Sequence, residues 1–238
     1  MNYLQTVQQL LMQANEQQQE SIERASEILV EAIIHGGIIQ LFGSGHSQLV
    51  AQEGFYRASG LACVKPISIE PLMLHTGALS SSQNEKDISN IEDYWSQIDL
   101  QPHDVLIVIS TSGRNAVPIE IAHRARQMQI PVITLQSLCY IAEPSLHASK
   151  KRLEHFGDVV IDTLVPVGDG LLNTGHLQYG PVSTVMAVSL LNQLFVTTID
   201  QLQQRKQDVP IFKSANVSNS SQSNDHWIEQ YHHRINFD

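Results

Sequence analysis

Two short stretches carry the residue types that bind an oxygen-rich anion. Gly43-Ser44-Gly45-His46-Ser47 follows the apolar run IIQLF, and Ser110-Thr111-Ser112-Gly113 follows the apolar run VLIVI. Each is a turn rich in glycine and hydroxyls, placed where a buried strand meets a helix. Glycine lets the backbone approach a ligand closely. The hydroxyls and the unpaired amides at a helix N-terminus donate hydrogen bonds, and the helix dipole adds positive potential. Asn115 is positioned as the N-cap of the second helix, and Pro118 falls in its first turn, where a missing N–H costs little. The chemistry indicated is capture of a phosphate.

Other turn chemistries are excluded by the residues present. A P-loop needs GxxxxGK[ST], and no lysine follows either turn. A dinucleotide fingerprint needs GxGxxG, and the sixth position is Gln48. A nucleophile elbow needs GxSxG, which neither GSGHS nor STSGR provides.

The elements that must position these turns are legible in the apolar pattern. Residues 2–35 read as a long N-terminal helix, polar all round in the middle, where it is either exposed or broken. Gly36-Gly37 stops it. Strands are predicted at 38–43, 62–67, 104–110, 131–135 and 158–162, with helices at 46–59, 115–128 and 181–204. Strands apolar throughout are buried on both faces, as in a parallel sheet covered by helices, so an α/β fold is expected. In such a sheet all strand C-termini open on one edge, and both turns would face one crevice there. Residues 70–103 are too long for a structureless connection, so short helices are expected, one around 88–98. Residues 1–205 read as a single domain. Beyond it, 206–238 reads as a polar Ser/Asn-rich loop followed by a short closing helix or arm.

Composition sets further bounds. Fourteen basic against 24 acidic residues give a net charge of −10, which argues against a nucleic-acid-binding surface. No apolar run of about 18 residues suggests a membrane span, and the N-terminus lacks the features of a secretory signal. Two cysteines, Cys63 and Cys139, both in apolar sequence, form no disulfide framework. A cytoplasmic protein with reduced thiols is expected. No HxxxH or comparable spacing marks a metal site, and no metal or cofactor is assigned.

Strand-GSGHS-helix followed by strand-STSGRN-helix resembles the sugar isomerase (SIS) domain family, over roughly residues 20–205. GSGHSQLVAQEGFYRASGL, STSGRN, VPVGDG, GPVSTV and SANV look closest to a bacterial subgroup related to phosphoheptose isomerase. The resemblance implies a three-layer α/β/α fold with a five-stranded parallel sheet, of flavodoxin-like or Rossmann-like type. It implies that Ser44, Ser47, Ser110, Thr111, Ser112 and Asn115 line a sugar-phosphate pocket shaped by Gly43, Gly45 and Gly113. It also implies that Ser183 and Thr184 begin the last helix near the ligand, and that the chain is a homo-oligomer, a dimer or tetramer. Where the subgroup reads SRH.SGK this chain has SLHASKK, and the continuation after SANV also departs.

Aldose–ketose isomerisation needs a base to move a proton between adjacent carbons and profits from an acid that opens the ring. Glu53 lies about two turns into the helix launched by the first turn. Glu70 and His75 follow the second strand, in EPLMLH. His176 precedes the last helix, and Asp169 sits in VGDG as a turn residue, N-cap or ligand contact. His46, inside the first turn, is placed to touch the ligand. The function expected is a phosphosugar-binding protein, most simply an aldose–ketose isomerase of phosphoheptose type. The alternatives are a non-catalytic phosphosugar sensor and an amino-sugar-phosphate lyase or etherase.

Overall fold

The computed structural model describes residues 2–214, 216 and 221–237. Five strands, β1 (Ile39–Gly43), β2 (Val64–Ile67), β3 (Val105–Ile109), β4 (Val132–Gln136) and β5 (Val159–Asp162), form one sheet in the order β2-β1-β3-β4-β5. Every pairing in it is parallel. The five predicted strands are all present, four of them trimmed by a residue or two and β4 shifted one residue onward.

Side-chain alternation divides the core between the two sheet faces. Leu41, Ile107, Ile109, Ile133 and Leu135 point to one side, against α2 (Gln19–Ile34), α3 (His46–Glu53) and α7 (Ser183–Gln204). Phe42, Leu106, Val108 and Val132 point to the other, against α5 (Ser89–Trp95) and α6 (Ala116–Gln127). The result is the three-layer sandwich that strands apolar on both faces require.

The N-terminal helix is two helices, α1 (Tyr3–Gln17) and α2, broken at Gln18 within the polar middle of the segment. The break has a function in packing, because Gln18 Oε1 accepts the Asp162 amide at the end of β5 (2.9 Å). Residues 70–103 hold α4 (Ala78–Asn84) and α5, the latter within the expected 88–98. A hairpin, β6 (Gly170–Thr174) and β7 (Leu177–Pro181), was not foreseen. It leads directly into α7, and Tyr3 Oη donates to Pro181 O (2.5 Å), tying α1 to it.

α7 is long and apolar enough to cross a membrane by length and composition. Here Met186, Leu190, Leu191, Leu194, Phe195 and Leu202 are buried in the core instead. After α7 the chain packs back on the domain. Ser59 N and Ala62 N donate to Phe212 O and Pro210 O (2.7 and 2.8 Å). The last part of the predicted polar loop, Ser221–Asp225, is helical and opens α8 (Ser221–Tyr231); Ala215 and Val217 of SANV lie outside the described residues.

Beyond α8, Arg234 reaches the amino edge of the sheet and pairs with Asp104 (2.7 Å) and Asp99 (2.9 Å). Asp104 is fully buried and also accepts Ile38 N, Gln40 Nε2 and Gln101 N, each at 2.9 Å. Removing it would take the acceptor from Ile38 N and Gln101 N and leave Arg234 and Gln40 with Asp99 alone. Asp104→Ala is expected to lose about 3–5 kcal/mol of stability by urea unfolding; a loss of under about 1 kcal/mol would mean the cluster behaves as an exposed pair.

Cys63 is buried, and burial pushes its thiol up to about 12. Cys139, expected in apolar surroundings, is exposed, because the three residues Leu138–Tyr140 form a surface turn after β4. A native-state thiol titration should therefore count one reactive cysteine, and two after denaturation.

Candidate functional site

Strand order places the two glycine turns side by side. The chain leaves β1 toward β2 on one side and β3 extends the sheet on the other, so the β1 and β3 carboxyl ends flank the point where connections diverge. Gly43 is in register with Ile109, the residue before Ser110.

A small pit opens at this point. His46, Ser47 and Val50 of α3, Thr111 of the second turn, and Ser183, Thr184 and Ala187 of α7 line it. Its volume of about 10 Å³ admits one water-sized sphere. The first turns of two helices, α3 and α7, meet around it. No lysine or arginine is among its lining residues, so the polar groups facing it are hydroxyls, one imidazole and the two helix starts.

Close approach of the backbone explains the glycines. A Cβ on Gly43 would fall 2.4 Å from the Ser47 backbone, so only glycine lets α3 start this close to β1. Gln48, oriented with its amide nitrogen toward the carbonyls, donates to Gly43 O (2.9 Å) and Ile67 O (3.3 Å), tying α3 to the ends of β1 and β2. Gly113 has φ +59°, and a Cβ there would meet Gln136 Oε1 at 2.5 Å.

The second turn is held from behind. Arg152, buried, donates through Nη2 to Ser112 O and through Nη1 to Glu143 O, both 2.6 Å, and through Nε to Glu154 Oε1 (2.8 Å). Gln136 Nε2 donates to the other Glu154 oxygen (3.0 Å). Ser137 N donates to Thr111 O (2.9 Å). These bonds fix the turn's carbonyls inward and leave the Thr111 side chain on the pit.

The remaining sequence-selected residues fall at several distances from the pit. Ser44 is buried and donates to Glu85 Oε2 (2.6 Å), a carboxylate at the end of α4 that no spacing in the sequence singles out. Gly45 N donates to Leu72 O (2.9 Å), so this amide is committed within the protein. The same bond fastens the Glu70–Thr76 segment to the first turn, with Glu70 and His75 both on its exposed surface. Ser110 is buried, Ser112 is half-buried, and Asn115 is the N-cap of α6 without a side-chain capping bond. Glu53 ends α3 and is paired with Arg57 (2.5 Å). His176 is exposed at the turn of the β6–β7 hairpin. Asp169 accepts Val182 N (3.0 Å), Ser183 N (2.7 Å) and Ser183 Oγ (2.9 Å), and thereby sets the start of α7 beside the pit.

A much larger cavity, about 630 Å³, lies at the opposite edge of the sheet, between α2 and the amino ends of β3–β5. Glu27, Glu31, Asp104 and Asp158 line it against Arg24, a balance unfavourable to an anion. Elsewhere, Glu120, His123 and His147 bring three ligand-type atoms within 4.8 Å of one another. The first two form an Glu-x-x-His pair on α6, a spacing that places both on one helix face.

The SIS domain model matches residues 2–137. A UPF0309 protein in the nagA 3' region of Lysinibacillus sphaericus is 46% identical over 99% of this chain and 97% of its own length. A UPF0309 protein of Halalkalibacterium halodurans is 39% identical, over 98% of this chain and 95% of its own. Among solved structures, phosphoheptose isomerase GmhA from Neisseria gonorrhoeae superposes with a TM-score of 0.53 at 19% identity, over 81% of this chain and 92% of that one. NanR of Vibrio vulnificus, solved with ManNAc-6P, gives 0.52 at 16% identity, over 95% of this chain and 67% of that one. The two structures share the fold. The chain belongs to the SIS domain family.

Two glycines separate the conformational cost of a side chain from the contact cost. Gly36→Ala (φ +78°, with nothing within 4 Å of the added methyl) should cost about 1 kcal/mol. Gly113→Ala adds the clash with buried Gln136 and should cost about 2 kcal/mol or more. Equal losses in thermal unfolding would mean the second turn is not seated against Gln136 as described.

Proposed function

We propose that this SIS-domain chain binds a phosphosugar by its phosphate at the pit between the two glycine turns, and isomerises it between aldose and ketose forms. One observation carries the reading. Four hydroxyls (Ser47, Thr111, Ser183 and Thr184) and the first turns of α3 and α7 converge on one point at the carboxyl edge of the sheet.

The pit takes an anionic oxygen and no more, so the sugar lies outside it, across the rim formed by His46 and the Glu70–Thr76 segment. There His46 is placed to assist ring opening, and Glu70 or His75 to move the proton between carbons. The pit itself is far smaller than the few hundred Å³ of an ordinary ligand pocket. A neighbouring subunit closing over it agrees with a homo-oligomer, and a reduced, cytoplasmic protein with the exposed Cys139 thiol.

A second reading, a phosphosugar sensor without turnover, is favoured by a specific feature: His46 is the sole titratable residue lining the pit. That the NanR structure holds ManNAc-6P on the same fold supports an amino-sugar phosphate as one ligand class to try.

The experiment is a thermal-shift screen with sugar phosphates, followed by proton exchange from solvent at the carbon beside the carbonyl. Thr111→Val and Thr184→Val should each weaken binding at least about tenfold, the loss of one hydrogen bond to a charged group. Stabilisation with exchange supports the isomerase, and stabilisation without it supports the sensor. Full affinity in both valine variants would move the phosphate elsewhere.

A further inference from the structure

We propose that Glu120, His123 and His147 form a site for a divalent ion of the zinc class, separate from the pit. None of the three lines the pit, and the proposal does not depend on what the pit binds.

The geometry begins at one oxygen. Glu120 Oε2 is 2.8 Å from His147 Nε2 and 3.7 Å from His123 Nδ1. The first contact is a hydrogen bond. The second is too long for one, so His123 is aimed at the carboxylate without being satisfied by it. A tetrahedral ion with Zn–N and Zn–O bonds of about 2.0–2.1 Å needs its ligand atoms about 3.3 Å apart. Two of the three separations bracket that value, and the third, between the two imidazoles, lies within 4.8 Å.

Each ligand is also braced on its far side, the pattern of outer partners that orient metal ligands. Arg124 Nε donates to Glu120 Oε1 (2.6 Å), leaving Oε2 for the ion. Ser149 Oγ lies 2.7 Å from His147 Nδ1. Gln127 Nε2 lies 3.3 Å from His123 Nε2. Arg124 is in turn paired with Glu92, so its charge is offset beside the site.

Arg124 Nε and His147 Nε2 approach the two oxygens of Glu120 separately, one each. His147 is 4% exposed, so one ligand is seated in the protein interior. Ser149 N donates to His147 Nδ1 (3.2 Å), so Nε2 is the ring nitrogen turned toward Glu120. Two imidazoles and one carboxylate, with a fourth position left to water, suit zinc better than calcium or magnesium.

The consequence for the rest of the molecule is mechanical. His147 belongs to the loop that also provides Leu146 N to Arg114 O (2.9 Å) and leads to Arg152 on Ser112 O. An ion would fasten this loop to α6 and so stiffen the support behind the second glycine turn.

The test uses the full chain without an affinity tag, treated with chelator and dialysed, then titrated with Zn2+ or Co2+ alone. One equivalent per chain should bind saturably, with visible Co2+ absorption free of thiolate charge-transfer bands, and Zn2+ should raise the melting temperature reversibly to chelator. His123→Ala, a change at a partly exposed side chain that spares the fold, should weaken Co2+ binding at least about tenfold, and Gln127→Ala should weaken it by a smaller factor. The double variant His232→Ala/His233→Ala should bind as wild type. Absence of saturable uptake overturns the site. So does wild-type affinity in His123→Ala, or loss of binding in the His232/His233 variant.

Discussion

The parallel pairing of β1 with β3 is the constraint on which the rest depends. It fixes Gly43 opposite Ile109 and so brings the residues after each strand to one place. Two peptide segments more than sixty residues apart in sequence become neighbours through backbone hydrogen bonds, and the hydroxyls they carry inherit that closeness. The apolar side chains on both sheet faces hold the strands together. The site is therefore a by-product of burial: core packing sets where the turns are, and the turns need only the right small residues.

What the turns contribute is division of labour. The first is tight because α3 starts almost on top of β1, which Gly43 permits and Gln48 secures. The second is rigid because Arg152, Glu154 and Gln136 form a buried polar layer beneath it. Such a layer costs stability where it is incomplete, and Gln136 Oε1 is one of its unpaired atoms. A third wall comes from outside the sheet: α7 presents Ser183 and Thr184, and Asp169 holds its first turn in place. The residues lining the pit include no lysine or arginine, in a chain with a net charge of −10.

The fold was legible in the sequence because it is written in apolar runs, and runs survive without knowledge of tertiary contacts. The five strands, α3, α6 and α7 all follow from them. The β6–β7 hairpin was not legible, since LLNTGHLQYGP has no clean alternation and lies largely exposed. Within the site, the glycine-hydroxyl turns and the start of α7 were marked by residue type and by resemblance. Glu85 was invisible, being one acid in a polar stretch whose partner is forty-one residues away. The directions in which Glu53 and His176 point were equally unreadable. A helix position two turns in, or a hairpin tip, is decided by three-dimensional packing, and the Arg57 pairing and the hairpin turn supply that answer only in the structure. Glu120 and His123 share a helix face by spacing, yet their third companion, His147, arrives from a separate loop.

Amide NMR of the full chain titrated with a sugar phosphate locates the bound anion residue by residue. The resonances of His46, Ser47, Thr111 and Thr184 should shift together with one dissociation constant. Shifts gathered instead around Arg24, His35 and His103, at the large cavity on the opposite edge of the sheet, would contradict binding at the pit.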